Sequence, residues 1–557
     1  MATVKFINEN KEVSVADGAT ILEAARKAGI TIESPCNGTG VCGKCKVRLA
    51  AGDGESIATG GRHRLPAQEV QKGYVLACET RIYGDITVDT SINRQREALK
   101  ILDHGKSFDI RLNGFIRKEY DAAGSRTCVF GGKELLGAED GDTTGECFGA
   151  VVDIGTTTLV AALVNLNSGK ELDSVSALNP QAVHAQDVLS RIKLASEEGG
   201  LNLMYGGLLE ELNRMISDLA KRNRINPKRI YEIVFSGNTC MLHLAANINP
   251  VSLGKFPYNP EITGDLHLNA SEHRLGISDF GIIYLPPVIS AYVGADITSG
   301  VLASQLYDKK GITLFVDIGT NGEMVMGLDG RLSATSTAAG PAFEGMNITH
   351  GMRAGAGAVE FFNIEGDGSV AVKTIGGEEA IGICGSGLLD IVGELVAHGI
   401  INKNGKFVDP EDSRLPVHLR ERLVKQDGKT VFTVSRQVVL TQKDIRQVQL
   451  AKGAVRAGIE FLLKSMGVEA SDVDSVLIAG SFGYHLRAKS LINLGLLPAA
   501  FEGRIEFLGN TSKTGGNAFL LNQNYRSLMA NLAKKIEVLE LSNYKDFDRV
   551  FVSCLNF

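Results

Sequence analysis

Four cysteines and two acidic hairpins carry the reactive groups of this chain. Cys36, Cys42 and Cys45 stand in Pro35-Cys36-Asn37-Gly38-Thr39-Gly40-Val41-Cys42-Gly43-Lys44-Cys45, and Cys78 follows in Leu76-Ala77-Cys78-Glu79-Thr80. The gaps are five, two and thirty-two residues. Thiolates are soft ligands that suit iron–sulfur clusters or zinc, and the intervening glycines let the loop fold its amides toward cluster sulfides. Structural zinc usually gathers its cysteines as two close pairs, whereas here three lie together and one lies far away. The second reactive stretch is Phe315-Val316-Asp317-Ile318-Gly319-Thr320-Asn321-Gly322-Glu323. Apolar residues run directly into an acid, a glycine and a hydroxyl, which reads as a buried strand entering a tight turn whose amides can hold phosphate. Ala150-Val151-Val152-Asp153-Ile154-Gly155-Thr156-Thr157-Thr158 repeats the pattern. One Asp-Ile-Gly-Thr is weak, but two copies far apart imply a duplicated domain, each half presenting a phosphate hairpin to a shared cleft.

The chain must supply the elements that position these groups. Its 557 residues, 44% of them hydrophobic, can bury several cores, and the length alone allows roughly three to four domains. A net charge of −6 with no long basic run argues against nucleic acid as the main partner. The sequence shows no amino-terminal export signal and no apolar run long enough to span a membrane, so the expectation is a cytoplasmic protein. In that reducing compartment nine cysteines are ligands or buried thiols rather than a disulfide framework. Cys128, Cys147, Cys240, Cys384 and Cys554 show no ligand spacing and read as ordinary thiols.

Around the four cysteines, Val4, Phe6, Val13 and Val15 alternate about a turn at Asn8-Glu9-Asn10-Lys11, predicting a hairpin. A helix is expected from Thr20 to about Ala28, with Thr20 and Glu23 at capping-box spacing. A polar helix from Ser91 to Leu102 and a glycine-broken stretch with Gly131-Gly132 and Glu139-Asp140-Gly141-Asp142 read as a connecting segment. Beyond the first hairpin, a helical stretch after Asn179-Pro180-Gln181 places His184, Asp187 and Arg191 on related faces, with solvated charges the alternative. Ile233 to Thr239 reads as a strand entering a Gly-Asn turn. Small residues from Ser290 to Ala303 predict a closely packed helix in which Asp296 orients water or magnesium, an N-capping role being the alternative. Thr335 to Glu344 places Gly340 and Pro341 at the start of a helix. Cys384 to Asp390 reads as a glycine turn opening a helix, and Thr441 to Leu463 as a long helix. Val476-Leu477-Ile478-Ala479-Gly480-Ser481-Phe482-Gly483 is an apolar strand ending in a turn where a purine and ribose can rest, and Gly509 to Ala518 enters a second small-residue helix.

The cysteine spacing resembles the [2Fe–2S] ferredoxin fold, with a first gap one residue longer than the plant-type pattern. The two hairpins, the Asp296 helix, Ile478 to Gly483 and the Gly515–Ala518 helix follow the order of phosphate-1, connect-1, phosphate-2, adenosine and connect-2 motifs. That order resembles the actin, sugar-kinase and heat-shock-chaperone ATPase superfamily. Joined to the ferredoxin, it is similar to the reductive activators of corrinoid proteins, further stretches being Asn179-Pro180-Gln181, Ala295-Asp296-Ile297, Ala338 to Gly345 and Gln442-Lys443-Asp444-Ile445. The resemblance implies an α/β multidomain chain. A β-grasp [2Fe–2S] domain would occupy residues 1–92, a small linker domain 93–147, and a duplicated actin-like, ribonuclease-H-like ATPase of two subdomains 148–557.

The activity implied is ATP-dependent one-electron reduction of a Co(II) corrinoid protein to Co(I) in a methyltransferase system. Plant-type clusters lie near roughly −400 mV, and each ~59 mV uphill disfavours one-electron transfer about tenfold, so a cluster alone gives little Co(I). ATP helps by differentially stabilising a complex in which cobalt is easier to reduce. Within the resemblance, Cys36, Cys42, Cys45 and Cys78 hold the cluster. Asp153 and Asp317 orient Mg2+ and water, and Asp296 helps position water. Gly155, Thr156, Thr157, Gly319, Thr320, Asn321, Gly322 and Gly340 face phosphate, while Gly480, Ser481 and Gly483 border adenosine. The implied partners are a corrinoid protein and a low-potential electron donor, a homodimer being compatible with the reading. The loop from Ser333 to Gly345 is the expected contact near cobalt. The alternatives are an ATP-gated electron donor to another enzyme, a cluster-bearing kinase, and a redox-sensing ATPase module.

Overall fold

The computed structural model describes residues 1–30, 32, 34, 38–40, 43–50, 56–60, 65, 67–91, 108–480 and 486–557. Cys36, Cys42, Ser481, Gly483 and nearly all of the polar helix expected after Ser91 lie outside the described residues. The chain forms two compact units. One comprises Met1–Lys100, Pro180–Arg191 and Pro341–Gln449, the other Ile101–Asn179, Ile192–Gly340 and Leu450–Phe557.

In the first unit the alternating apolar residues of β1 (Ala2–Phe6) and β2 (Lys11–Val15) form the expected hairpin. Helix α1 (Ile21–Lys27) is closed by the expected capping box: the Thr20 hydroxyl accepts from the Glu23 N–H at 3.1 Å, and the Glu23 carboxylate accepts from the Thr20 N–H at 2.7 Å. With β3 (Lys46–Leu49), β4 (Tyr74–Leu76) and β5 (Ile86–Asp89) the sheet runs β2-β1-β5-β3-β4, and β1 and β5 are parallel. Val4, Phe6, Ile21, Val47 and Val88 are fully buried in its core.

The stretch Pro180–Arg191 does not form the helix expected from its spacing. Pro180–Val183 is a single 3-10 turn, and the α-helix begins only at Val188. Asp187 accepts from the Ser190 N–H at 2.8 Å. Arg191 is buried against the Gln181 side chain and the Ala185 carbonyl, so neither charge is presented as a helix-face pair. The Gly340-Pro341 helix is likewise reduced to one 3-10 turn, Pro341–Glu344. The expected Cys384 helix is present as Gly385–Ala397. A Cβ on Gly387 would stand 2.0 Å from the Val359 carbonyl, so this glycine seats the helix on strand Ala358–Ile364 rather than on a ligand.

The second unit starts with a small antiparallel sheet of β6 (Ile116–Asp121), β7 (Arg126–Gly131) and β8 (Glu134–Asp140). The acidic stretch read as a linker is therefore the end of a strand. Glu139 is drawn inward by Lys118, whose Nζ lies 3.0 Å from its carboxylate and 2.8 Å from the Tyr231 hydroxyl. Two six-stranded sheets follow. The first orders β11 (Glu171–Leu178), β10 (Thr158–Asn165), β9 (Phe148–Ile154), β12 (Ile230–Gly237), β14 (Ile282–Leu285) and β13 (Leu266–Asn269). The second orders β19 (Ile505–Gly509), β18 (Ser475–Ala479), β15 (Ile312–Ile318), β16 (Gly322–Leu328) and β17 (Arg331–Thr337), edged by Glu537–Val538.

In both sheets an antiparallel hairpin opens on the Asp-Ile-Gly motif and its first strand pairs in parallel with a buried strand, β9 with β12 and β15 with β18. One parallel partner ends on a glycine, Gly237, and the other is followed directly by one, Gly480. A Cβ at Gly237 would meet the Ile154 carbonyl at 2.6 Å, and one at Gly480 the Ile318 carbonyl at 2.5 Å. The duplication read from two short motifs thus extends to their neighbours. The expected contact loop from Ser333 is corrected: Ser333–Thr337 belongs to β17, and its residues are mostly buried.

Candidate functional site

The two candidate cluster cysteines that are described, Cys45 and Cys78, come together. The Cys45 and Cys78 sulfurs lie 3.3 Å apart, and the Cys78 N–H donates to the Cys45 sulfur at 3.4 Å. Gly38, Gly40 and Gly43 take φ of 85°, 79° and 71°, the left-handed region open to glycine that lets the loop turn its amides inward. Two cysteine sulfurs at that separation, beside such a loop, fit a shared iron. Lys44, between two cluster cysteines, donates to the Thr349 carbonyl at 2.9 Å and the Gly351 carbonyl at 3.2 Å. Cys128, Cys147, Cys240, Cys384 and Cys554 are dispersed through the fold, and burial pushes Cys147 up to about 12.

The two acidic hairpins face the amino-terminal ends of a pair of crossing helices, α3 (Ala295–Ala303) and α4 (Thr511–Leu521). Small residues make the crossing. A Cβ on Gly515 would lie 2.1 Å from the Ser299 carbonyl of α3; Gly516 instead seats α4 on the first sheet, where a Cβ would lie 2.4 Å from Val151 of β9. Asp153 accepts from the Asn510 amide at 2.9 Å and the Ser512 hydroxyl at 2.7 Å, both at the start of α4. The first turn is tight, with the Gly155 N–H donating to the Thr158 carbonyl at 3.0 Å. A Cβ on Gly155 would approach that oxygen to 2.7 Å. Asn179 closes the turn through its backbone N–H on the Thr157 carbonyl and its amide on the Gly155 carbonyl. Asn238, which caps α2 (Thr239–Ala245), donates to the Thr156 hydroxyl at 3.1 Å. In the second turn Gly319 N–H donates to the Asn321 carbonyl, Gly340 N–H to the Thr320 carbonyl, and the Thr337 hydroxyl to the Gly322 carbonyl.

Four carboxyls gather here: Asp153, Asp296, Asp317 and Glu323. Burial first, then the charges of Asp317 and Asp153, push Asp296 up to about 8. Burial followed by Asp153 pushes Asp317 up to about 7. Asp153 is also raised by burial, against the pull of Ser512, Asn510 and Lys513. Burial, then Asp296 and Asp317, drive Glu323 well above its ordinary range. A buried acidic set that resists ionising alone fits a site completed by a cation. Among the described residues no three carboxyl, imidazole or thiol groups form a ready-made metal ligand set. Magnesium commonly keeps several waters and takes only one or two carboxylates beside phosphate oxygens, so that arrangement also suits it.

The structure therefore brings together Asp153, Asp296, Asp317, Gly155, Thr156, Thr157, Gly319, Thr320, Asn321, Gly322, Gly340 and Gly480 in one unit, and Cys45 and Cys78 in the other. Sequence reasoning gave Glu323, Asn510 and Ser512 no role. For Glu323 the signal was spacing: six residues beyond Asp317 across a tight antiparallel turn, it stands directly opposite that residue. The first hairpin carries Val160 opposite Asp153, so the duplication gave no second example.

Comparison with known proteins covers nearly the whole chain. Residues 5–83 match the 2Fe-2S iron-sulfur cluster binding domain, 148–309 the RACo middle region, and 311–557 the C-terminal domain of RACo, the ASKHA domain. A corrinoid activation enzyme, RamQ, of Eubacterium limosum is 28% identical over 97% of each chain. A [Co(II) methylated amine-specific corrinoid protein] reductase of Methanosarcina barkeri is 24% identical over 74% of this chain and 77% of its own. The solved structure of a reductive activator for corrinoid,iron-sulfur protein is 31% identical, covers 100% of this chain and 98% of its own, and superposes with a TM-score of 0.73.

Proposed function

The chain belongs to the family of reductive activators of corrinoid proteins, and from that premise we propose that it reduces the Co(II) of a corrinoid protein to Co(I), one electron at a time, at the expense of ATP. The observation that carries the proposal is the set of four buried carboxyls between two phosphate-type turns, on a chain that also pairs Cys45 with Cys78. We propose sequence domains at 1–92, 93–147 and 148–557.

When bound, an iron–sulfur cluster supplies single electrons and MgATP supplies a conformational bias. Cys36, Cys42, Cys45 and Cys78 would hold a cluster of the [2Fe–2S] type. In the turns Gly155 to Thr157 and Gly319 to Gly322 the Gly155 and Gly319 N–H groups close the turns themselves, and the backbone N–H groups of Thr156, Thr157, Thr320 and Asn321 would face phosphate. Asp153, fixed by Asn510 and Ser512, and Asp317 would hold hydrated Mg2+ beside the phosphates. Asp296, in the first turn of α3, would help position water. Gly340 closes the second turn, and Gly480, with Ser481 and Gly483, borders adenosine. The partners are a corrinoid protein and a low-potential electron donor. No helix among the described residues is long and apolar enough to cross a membrane, which suits exchange with such partners.

The experiment is a double dissociation. Asp317→Asn should lower ATP turnover about a hundredfold and abolish ATP-dependent Co(I) formation while leaving the cluster's visible absorption intact. Cys78→Ser should bleach the cluster and abolish Co(I) formation with ATP binding retained. Full Co(I) formation in either variant contradicts the proposal, and a phosphorylated small molecule in place of Co(I) would favour a kinase.

A further inference from the structure

Glu323 occupies a place in the second unit that the roles above leave unused. It lies on β16 directly across from Asp317 on β15, so both side chains project from the same face of the sheet. It is 6% exposed. One carboxylate oxygen, Oε1, is buried with no hydrogen-bond partner among the described residues, while the Gly294 N–H donates to this carboxylate. A buried carboxylate oxygen left unmet is costly, and a hydrated cation bound in the cleft would meet it.

Gly294 is the residue before α3 and is wedged in place. A Cβ there would stand 2.5 Å from Asn238 Cα and 2.6 Å from the Thr239 nitrogen. Asn238 in turn donates to the Thr156 hydroxyl of the first phosphate turn. A continuous line of contacts thus runs from the second hairpin through Glu323, Gly294 and Asn238 to the first. The same line sets the start of α3, where Asp296 sits.

We infer that Glu323 is a positioning residue of the nucleotide site, tying the second phosphate turn to the first through Gly294 and offering its remaining oxygen to the water shell of the bound cation. The inference rests on the nucleotide reading of this cleft. Charge and hydrogen bonding divide the two tasks: an amide oxygen in Glu323→Gln still accepts from Gly294 but attracts a hydrated cation weakly, whereas Glu323→Ala loses both.

The test is calorimetric titration of full-length, cluster-loaded protein with ADP, in the presence of Mg2+ and in its absence, alongside Mn2+ EPR of the ADP complex. Wild-type protein should bind ADP more tightly with Mg2+. Glu323→Gln should keep metal-free ADP affinity within about twofold and lose the metal enhancement by about tenfold, with an altered Mn2+ signal. Glu323→Ala should lose affinity under both conditions. A wild-type metal enhancement and an unchanged Mn2+ signal in Glu323→Gln overturn the inference while leaving the nucleotide reading in place. Failure of wild-type protein to bind ADP at all removes the reading, and the inference with it. Should Glu323→Gln fail to fold, Glu323→Asp, which keeps the charge but is shorter, must weaken the metal enhancement; wild-type behaviour there overturns the inference equally.

Discussion

A carboxyl held far above its ordinary range stores a pH dependence whose sign can be worked out. Asp296 and Asp317 titrate near 8 and 7 in the fold but near 3.8 when unfolded. Between those limits the native state binds more protons, so their contribution to stability is greatest at low pH and is lost as pH rises from about 4 through about 8. Nucleotide-free protein should melt at a lower temperature at pH 8.5 than at pH 6, with Mg2+ and ADP reducing the difference. Asp317→Asn should flatten the slope and raise the melting temperature at pH 8.5, because an amide pays no ionisation cost. A slope identical in wild type and variant would deny that these carboxyls are strained. The aspartates were legible because each ends an apolar strand before a glycine. Glu323 was missed, because its six-residue spacing from Asp317 becomes a partnership only once the register of the hairpin is known.

At the level of elements, glycine has two distinct uses. In the phosphate turns it admits tight backbone, and in α4 it lets two helices touch. Gly515→Ala would drive a methyl group to 2.1 Å from the Ser299 carbonyl. It should destabilise the second unit by about 2–3 kcal/mol and weaken ADP binding, since α3 carries Asp296 and the start of α4 carries the Asp153 partners; wild-type denaturation and binding would contradict a close crossing. Asp444 plays a local role instead. It completes a capping box with Thr441 at the start of the Gln442–Met466 helix and accepts from the Thr349 N–H and hydroxyl at 2.7 and 2.9 Å. Asp444→Ala should cost about 2 kcal/mol or more and raise hydrogen exchange at Thr349; unchanged exchange would show the turn to be held by other contacts. Element types came readily from periodicity and caps, as at Thr20 and in the 25-residue helix from Gln442. The misses at Pro180, Pro341 and Glu139 share a cause: tertiary partners, such as Lys118 for Glu139, override local composition.

For the whole molecule, the order of motifs along the chain carried more than any single one of them. Two hairpins, two small-residue helices and a later glycine turn identified a duplicated ATPase because duplication repeats neighbours as well as motifs, as Gly237 and Gly480 show. The grouping of Pro341–Gln449 with the amino-terminal hundred residues was not legible, since contacts such as Lys44 to Thr349 join residues 305 positions apart. The central claim is that this chain couples ATP to reduction of cobalt. It is tested most directly by anaerobic absorption spectroscopy of a Co(II) corrinoid protein mixed with the cluster-loaded chain and a low-potential electron donor, with and without MgATP. Co(I) should accumulate only when MgATP is present and the cluster intact. ATP turnover over an intact cluster with no Co(I) from any of several corrinoid partners would contradict the account and point to a different electron acceptor.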